Sequence, residues 1–161
     1  MGILNVTPDS FSDGGKYFDP ARARAHIDAL VEGGADIIDI GGESTRPGAP
    51  QVSAIEQMER VIPAVRYAAE RAWVSIDTTS PEVASRAIEA GATIVNDVSL
   101  LADEGLAELV AATDTMLVLS HVRGRQDAMK GFSTQPEETY RDVVHDVLAD
   151  WEAAAARARS R

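Results

Sequence analysis

The chain has 161 residues, about the length of one globular domain, and its 26 acidic and 15 basic side chains give a net charge of −11. This balance disfavours a general nucleic-acid binder, which needs a basic surface to displace counterions from phosphates. The 45% hydrophobic content argues against disorder, and the absence of cysteine excludes a disulfide framework, a thiolate metal site and a cysteine nucleophile.

Short runs rich in β-branched residues alternate along the chain with longer, alanine-rich amphipathic runs. The short runs show little polar alternation, as strands covered on both faces do, and they predict strands at 2–6, 36–40, 73–77, 93–96 and 115–120. The longer runs predict helices near 20–33, 54–71, 81–90, 104–112 and 136–158.

Polar residues and glycines mark the ends of these helices. Glycines at 33–34 and Gly91 suit the left-handed conformation that often ends a helix. Residues with the character of N-caps precede four of the predicted helices, namely Asp19, Ser53, Ser80 and Thr134.

Membrane and secretory segments are not predicted. No window approaches 18 uninterrupted apolar residues, and the first nine residues lack the basic and long apolar regions of a secretory signal. We therefore expect a cytoplasmic protein without a membrane partner.

Five strand–helix units in series imply parallel strands joined by right-handed crossovers. One candidate architecture is an open doubly wound sheet, which is complete at this length. The other is a (β/α)₈ barrel, which needs about 250 residues or roughly 31 for each unit, so that 161 residues would hold about five units. The pattern alone favours neither.

Polar residues cluster after the predicted strands, on loops that meet on one face in either architecture. In residues 5–15, Asn5 stands at a strand end, where its amide could ligate a hard cation or bond a phosphate oxygen. In residues 41–49, Thr45 and Arg46 offer donors to an anion. The alternative in both places is an ordinary surface loop.

Asp77 ends the third predicted strand and Asn96 ends the fourth. A carboxylate and an amide on adjacent strand ends can read the edge of a flat nitrogen heterocycle, and the carboxylate can stabilise positive charge. The alternative is helix capping, by Asp77 or by Asp97. Asp39 lies among apolar residues of the second strand, where burial is costly for an unpaired carboxylate, and we expect it to orient a loop.

His121 follows the fifth predicted strand. A histidine at a strand end invites a role as general base, but no nucleophile or carboxylate partner is identifiable by spacing. We therefore expect His121 to fix a loop.

Four segments together resemble dihydropteroate synthase, in order and at matching separations: 5–15 (NVTPDSFSDGG), 41–49 (GGESTRPGA), 75–78 (SIDT) and 94–98 (IVNDV). The resemblance runs from Gly2 to about residue 155. It implies a parallel (β/α) barrel of the TIM type that is incomplete here, with about five of eight strand–helix units, forming one pterin-binding domain over residues 1–161.

The resemblance also implies a transferase of folate biosynthesis that joins 6-hydroxymethyl-7,8-dihydropterin diphosphate to 4-aminobenzoate with Mg²⁺ and releases diphosphate. The parent protein would be a homodimer. Asp77 and Asn96 would hold the pterin ring, with Asp77 as the catalytic residue that favours a cationic intermediate. Asn5 would be the Mg²⁺ ligand and Thr45 would contact diphosphate. Mobile loops that close over 4-aminobenzoate would carry Phe11, Arg46 and Pro47.

The sequence departs from the family pattern in two ways. Ser120 stands before His121 where we expect methionine, and the Asp-Pro-Gly, lysine and Arg-x-His motifs of the family's sixth, seventh and eighth strands have no counterpart among the five predicted strands. We therefore expect a fragment that is inactive alone and is aggregation-prone or dimerises through its open strand edges.

Three other readings stay open. One is a pterin-binding domain of the methyltetrahydrofolate–corrinoid methyltransferase type. The second is a non-catalytic fragment that binds pterin weakly or not at all. The third is a complete five-strand module that binds an anion.

Overall fold

A computed structural model describes residues 1–7, 19–43, 52–121 and 140–160, and within these ranges five strands alternate with five helices. The strands are β1 (Gly2–Asn5), β2 (Ile37–Gly41), β3 (Trp73–Asp77), β4 (Ile94–Asp97) and β5 (Met116–Leu119). The helices are α1 (Pro20–Glu32), α2 (Ala54–Ala69), α3 (Pro81–Glu89), α4 (Glu104–Ala112) and α5 (Val143–Arg159).

The five strands form one parallel sheet in the order β1-β2-β3-β4-β5. Each strand therefore pairs with the next one along the chain, as in a (β/α) barrel. An open doubly wound sheet has instead a switch point at which the strand order reverses, so that alternative is wrong. The fold is an α/β barrel of the TIM type that is incomplete in this chain.

The helices pack on one face of the sheet. Leu4, Ile40, Ile76 and Val95 occupy matching positions on successive strands and are buried in the core with helix residues such as Val61. The opposite face carries Ile3 and Trp73, whose exposed fractions are 60% and 61%. This second face is where the polar strand-end residues project.

The predicted helix starts are confirmed for the first three helices. The side chains of Asp19, Ser53 and Ser80 each accept a hydrogen bond from a backbone N–H in the first turn. The predicted stops are also present, since Gly34 and Gly91 have φ of +89° and +113°. These glycines let the chain turn sharply from helix to strand.

The predicted start of the last helix at residue 136 is wrong for residues 140–142, which are not helical. The helix begins at Val143, because Asp142 accepts hydrogen bonds from the backbone of Val144 and His145 and so satisfies two free donors. Thr134 lies outside the described residues. No helix in the described part of the chain has the length and apolar character needed to cross a bilayer.

Candidate functional site

The strand register brings three of the predicted site residues into one row. Asn5, Gly41, Asp77 and Asn96 are successive partners across β1, β2, β3 and β4. They lie at the carboxyl ends of the strands, and their side chains point away from the helices, because the preceding residues on the same strands face the helical core. We call these four positions the strand-end row.

Gly41 keeps the centre of this row open. A Cβ atom at Gly41 would lie 3.5 Å from Asn5 Oδ1 and 3.5 Å from Asp77 Oδ2. The amide oxygen and the carboxylate oxygen therefore flank the place that a side chain would fill. A glycine here leaves room for a ligand to approach both oxygens.

Asp77 is the most perturbed carboxyl of the site. Burial is the main cause that raises its pKa from 3.8 to about 7, and the negative charges of Asp39, Asp97 and Glu43 raise it further. Near neutral pH this carboxyl is therefore divided between its protonated and ionised forms. A group in this state can take up or release a proton, or can ionise when positive charge develops beside it.

A second polar layer lies one position deeper on the same face. Asn96 Nδ2 donates a hydrogen bond of 3.3 Å to Asp39 Oδ2, and Asp39 is only 7% exposed. Asp39 Oδ1, Asn96 Oδ1 and the hydroxyl of Ser75 are buried without a hydrogen-bond partner among the described residues.

The sequence predicts that Asp39 orients a loop, but its carboxylate accepts a hydrogen bond from a side chain of the strand-end row. Ser75 is not among the predicted site residues. Asp39 and Ser75 are both polar residues in otherwise apolar strands, on the face that carries Asp77. This pattern is the sequence signal that could have identified them as site residues.

The base of the loop that follows β2 is held by a compact set of hydrogen bonds. Glu43 accepts from the Val52 backbone N–H at 3.1 Å and from Gln57 Nε2 at 3.0 Å. Gln57 Nε2 also donates to the Val52 carbonyl, and Arg60 donates to the Gly42 carbonyl at 2.9 Å. These contacts join the residue before segment 44–51 to the residue after it. None of these hydrogen bonds is apparent from the sequence alone.

Asp97 holds the turn after β4 and is not a helix cap. Its carboxylate accepts hydrogen bonds from Leu101 N at 2.6 Å and from the backbone and hydroxyl of Ser99. In this turn Leu100 and Leu101 have φ of 59° and 56°, an uncommon conformation for leucine. The N-cap of α4 is Asp103, so the capping alternative for Asp97 is wrong.

His121 is linked to the last helix. Its Nε2 lies 3.1 Å from Asp150 Oδ2 of α5, and its ring centre is 6.3 Å from that of Tyr140. The contact ties the end of β5 to α5. Four other predicted site residues lie outside the described residues: Phe11, Thr45, Arg46 and Pro47.

The described residues contain no cluster of three or more histidine, aspartate or glutamate side chains that could hold a metal by themselves. Asn5 and Asp77 nevertheless present hard oxygen atoms on either side of Gly41. Mg²⁺ commonly takes one or two protein oxygens and completes its coordination with water and substrate phosphates. The donor set fits such a shared site.

The chain is similar to dihydropteroate synthases in sequence. That of Escherichia coli K12 is 45% identical over 149 residues, which are 91% of this chain and 51% of that protein. That of Streptococcus pyogenes is 45% identical over 161 residues, which are 98% of this chain and 56% of that protein. The chain spans about half the length of these curated relatives.

Solved structures of dihydropteroate synthases share the fold. The Yersinia pestis enzyme in a sulfonamide drug complex has a TM-score of 0.87 and 39% identity, and the match covers 99% of this chain and 57% of that one. The Xanthomonas albilineans enzyme with 4-aminobenzoic acid has a TM-score of 0.79 and 40% identity, with 98% and 56% covered. The family model described as pterin binding enzyme matches residues 1–161. The chain belongs to the pterin-binding enzyme family.

Proposed function

We propose that the protein to which this chain belongs is a dihydropteroate synthase. It would condense 6-hydroxymethyl-7,8-dihydropterin diphosphate with 4-aminobenzoate to give 7,8-dihydropteroate and diphosphate. The observation that carries the proposal is the strand-end row, in which Asn5, Asp77 and Asn96 lie on the same face at the carboxyl ends of β1, β3 and β4. The 45% identity to curated dihydropteroate synthases supports it.

Asp77 and Asn96 would bind the pterin ring, because a carboxyl and a carboxamide on neighbouring strands match the donors and acceptors of a flat heterocycle. When the bond between the pterin methylene carbon and the diphosphate oxygen breaks, the bonding electrons leave with diphosphate and the dihydropterin becomes cationic. Ionised Asp77 stabilises that charge. The 4-aminobenzoate nitrogen then bonds to the methylene carbon and loses a proton.

The acidic surroundings of Asp77 would favour a bound cation. The negative charges of Asp39, Asp97 and Glu43 act on Asp77, and ionised carboxylates repel a diphosphate. Asn5 would hold Mg²⁺, which would offset the negative charge of the leaving diphosphate. Thr45 contacts the diphosphate. The loops that carry Phe11, Arg46 and Pro47 cover 4-aminobenzoate and exclude water from the cation.

We further propose that the parent protein is a cytoplasmic homodimer. For the 161-residue chain alone we expect weak pterin binding and no formation of dihydropteroate, because the lysine and Arg-x-His motifs of the family's seventh and eighth strands have no counterpart among its five strands. Measurable turnover by the isolated chain would contradict this expectation.

The test is a titration followed by the Asn96 side-chain amide signals in ¹H–¹⁵N NMR spectra, which detect weak binding. A dihydropterin diphosphate analogue with Mg²⁺ should shift these signals in the wild-type chain. The same analogue should bind at least about tenfold more weakly to Asp77→Asn, because a hydrogen bond to a charged group is lost. The exposed Asp114→Asn variant is the matched control and should bind normally.

The second arm of the test measures the binding of 4-aminobenzoate in the presence and in the absence of diphosphate. Binding that requires diphosphate supports the proposed reaction. Binding of 4-aminobenzoate that does not depend on diphosphate would favour the methyltransferase-type alternative. Unchanged spectra on addition of the pterin analogue would contradict a pterin site.

A further inference from the structure

Asp39 is a buried carboxylate that the family resemblance does not assign. It lies two residues before Gly41 on β2, and its partners in the sheet are Ile3 on β1 and Ser75 on β3. It is 7% exposed, and no ion pair to it occurs among the described residues. Keeping an unpaired carboxylate in such a place is costly, so its presence calls for a role.

The contact that Asp39 makes is with a residue of the strand-end row. Asn96 Nδ2 donates to Asp39 Oδ2 across the intervening strand β3. An ionised carboxylate can only accept hydrogen bonds, whereas a carboxamide has one end that donates and one end that accepts. Asp39 therefore selects the orientation in which the nitrogen of Asn96 points to β2 and the oxygen points elsewhere.

The atoms of this layer that have no hydrogen-bond partner among the described residues share a common character. Asn96 Oδ1 and Asp39 Oδ1 only accept hydrogen bonds, and the Ser75 hydroxyl can accept one as well as donate one. Buried acceptors of this kind are nearly always matched by a donor in the functional state. The N–H and amino groups of a dihydropterin are donors of the matching kind.

We propose that Asp39 is a positioning residue for pterin recognition, which holds the Asn96 carboxamide so that its carbonyl oxygen accepts from an N–H of the ring. This inference rests on the proposed function.

Two kinds of substitution separate orientation from charge. Asp39→Asn keeps an oxygen that can accept from Asn96 but removes the charge. Asp39→Leu and Asp39→Ala remove the acceptor, and either one that folds is used. The exposed Asp114→Asn, outside this layer, is the matched control.

The first readout needs no ligand. In the wild-type chain and in Asp39→Asn, the two Asn96 amide protons should give separate signals that exchange slowly with water. In Asp39→Leu or Asp39→Ala these protons should exchange with water at least about tenfold faster.

The second readout is affinity for the dihydropterin diphosphate analogue. It should fall about 10-fold to 100-fold in Asp39→Leu or Asp39→Ala, as expected for the loss of a charged hydrogen bond, and recover to within about threefold of wild type in Asp39→Asn. Unchanged Asn96 signals and affinity in the folded apolar variant would overturn the inference. If even the wild-type chain binds no pterin, the proposed function fails, while the ligand-free spectra still decide whether Asp39 orients Asn96.

Discussion

Asp77 shows how one residue acquires chemistry from its neighbours. Its side chain is largely buried beside three other carboxylates, and its pKa rises to about 7. In the unfolded chain the pKa returns to about 3.8. Between these two values the folded chain binds a proton that the unfolded chain has released, so the contribution of Asp77 to stability is present at acid pH and is lost as the pH rises through 7.

Asp77→Asn should therefore stabilise the isolated chain at pH 8 by about 2–4 kcal/mol, since one pKa unit corresponds to about 1.4 kcal/mol. The gain should shrink toward zero near pH 3, where the wild-type carboxyl is mostly protonated in both states. Urea unfolding at several pH values measures it. The exposed Asp114→Asn variant is the matched control, and an equal gain at pH 3 and pH 8 would contradict this explanation.

Glu43 illustrates a contact that local sequence patterns do not reveal. It joins residues nine and fourteen positions further along the chain, Val52 and Gln57, in a partly buried place. Glu43→Ala should lower the free energy of unfolding by about 1–3 kcal/mol, the range for buried hydrogen bonds to a charged group. The control is Glu59→Ala on the exposed side of α2, for which a change within about 0.5 kcal/mol is expected. Equal losses in the two variants would refute a special role for Glu43.

At the level of elements, the strands and the starts of α1, α2 and α3 follow from local signals. Alternating runs locate the strands to within about a residue or two, and Asp19, Ser53 and Ser80 mark helix starts. The start of α5 could not be predicted from local signals, because both Thr134 and Asp142 are candidate N-caps and spacing does not rank the two.

The convergence of Asn5, Asp77 and Asn96 was predictable because carboxyl ends of parallel strands meet at one edge. The hydrogen bond from Asn96 to Asp39 was not predictable, since it joins residues that are 57 positions apart and lie on strands that are not neighbours. Such a contact depends on register and on sheet curvature, which a single sequence does not encode locally.

The connections from helix to strand depend on glycines. Gly91 lies between α3 and β4 with φ of +113°, and a Cβ there would meet Ala69 Cβ at 2.7 Å. Gly34 lies between α1 and β2 with φ of +89°, and nothing lies within 4 Å of its Cβ position. Gly34→Ala should lower the free energy of unfolding by about 1–2 kcal/mol, because of backbone strain alone. Gly91→Ala should lower it by at least about 1 kcal/mol more, because of the added clash. Thermal unfolding of the two variants measures the difference, and equal costs would show that α2 moves aside freely.

The whole sheet has two edges and one uncovered face in the described part of the chain. Neither β1 nor β5 pairs with a strand on its outer side there. The face opposite the helices exposes Ile3, Trp73, Met116 and Val118. Unpaired edges and apolar faces of this kind promote association. The isolated chain should therefore self-associate at micromolar concentration, and sedimentation velocity at a series of concentrations should show a rising average mass.

Ile3→Lys tests which surface is responsible, because a charge on an edge strand opposes pairing with another chain. It should lower the association markedly. Ile55→Lys is the matched control, since Ile55 is 68% exposed but belongs to α2 on the helical side. This substitution should leave the association unchanged. A wild-type chain that stays monomeric at every concentration and melts in one sharp two-state transition would show that the described sheet is stable without covering its apolar face.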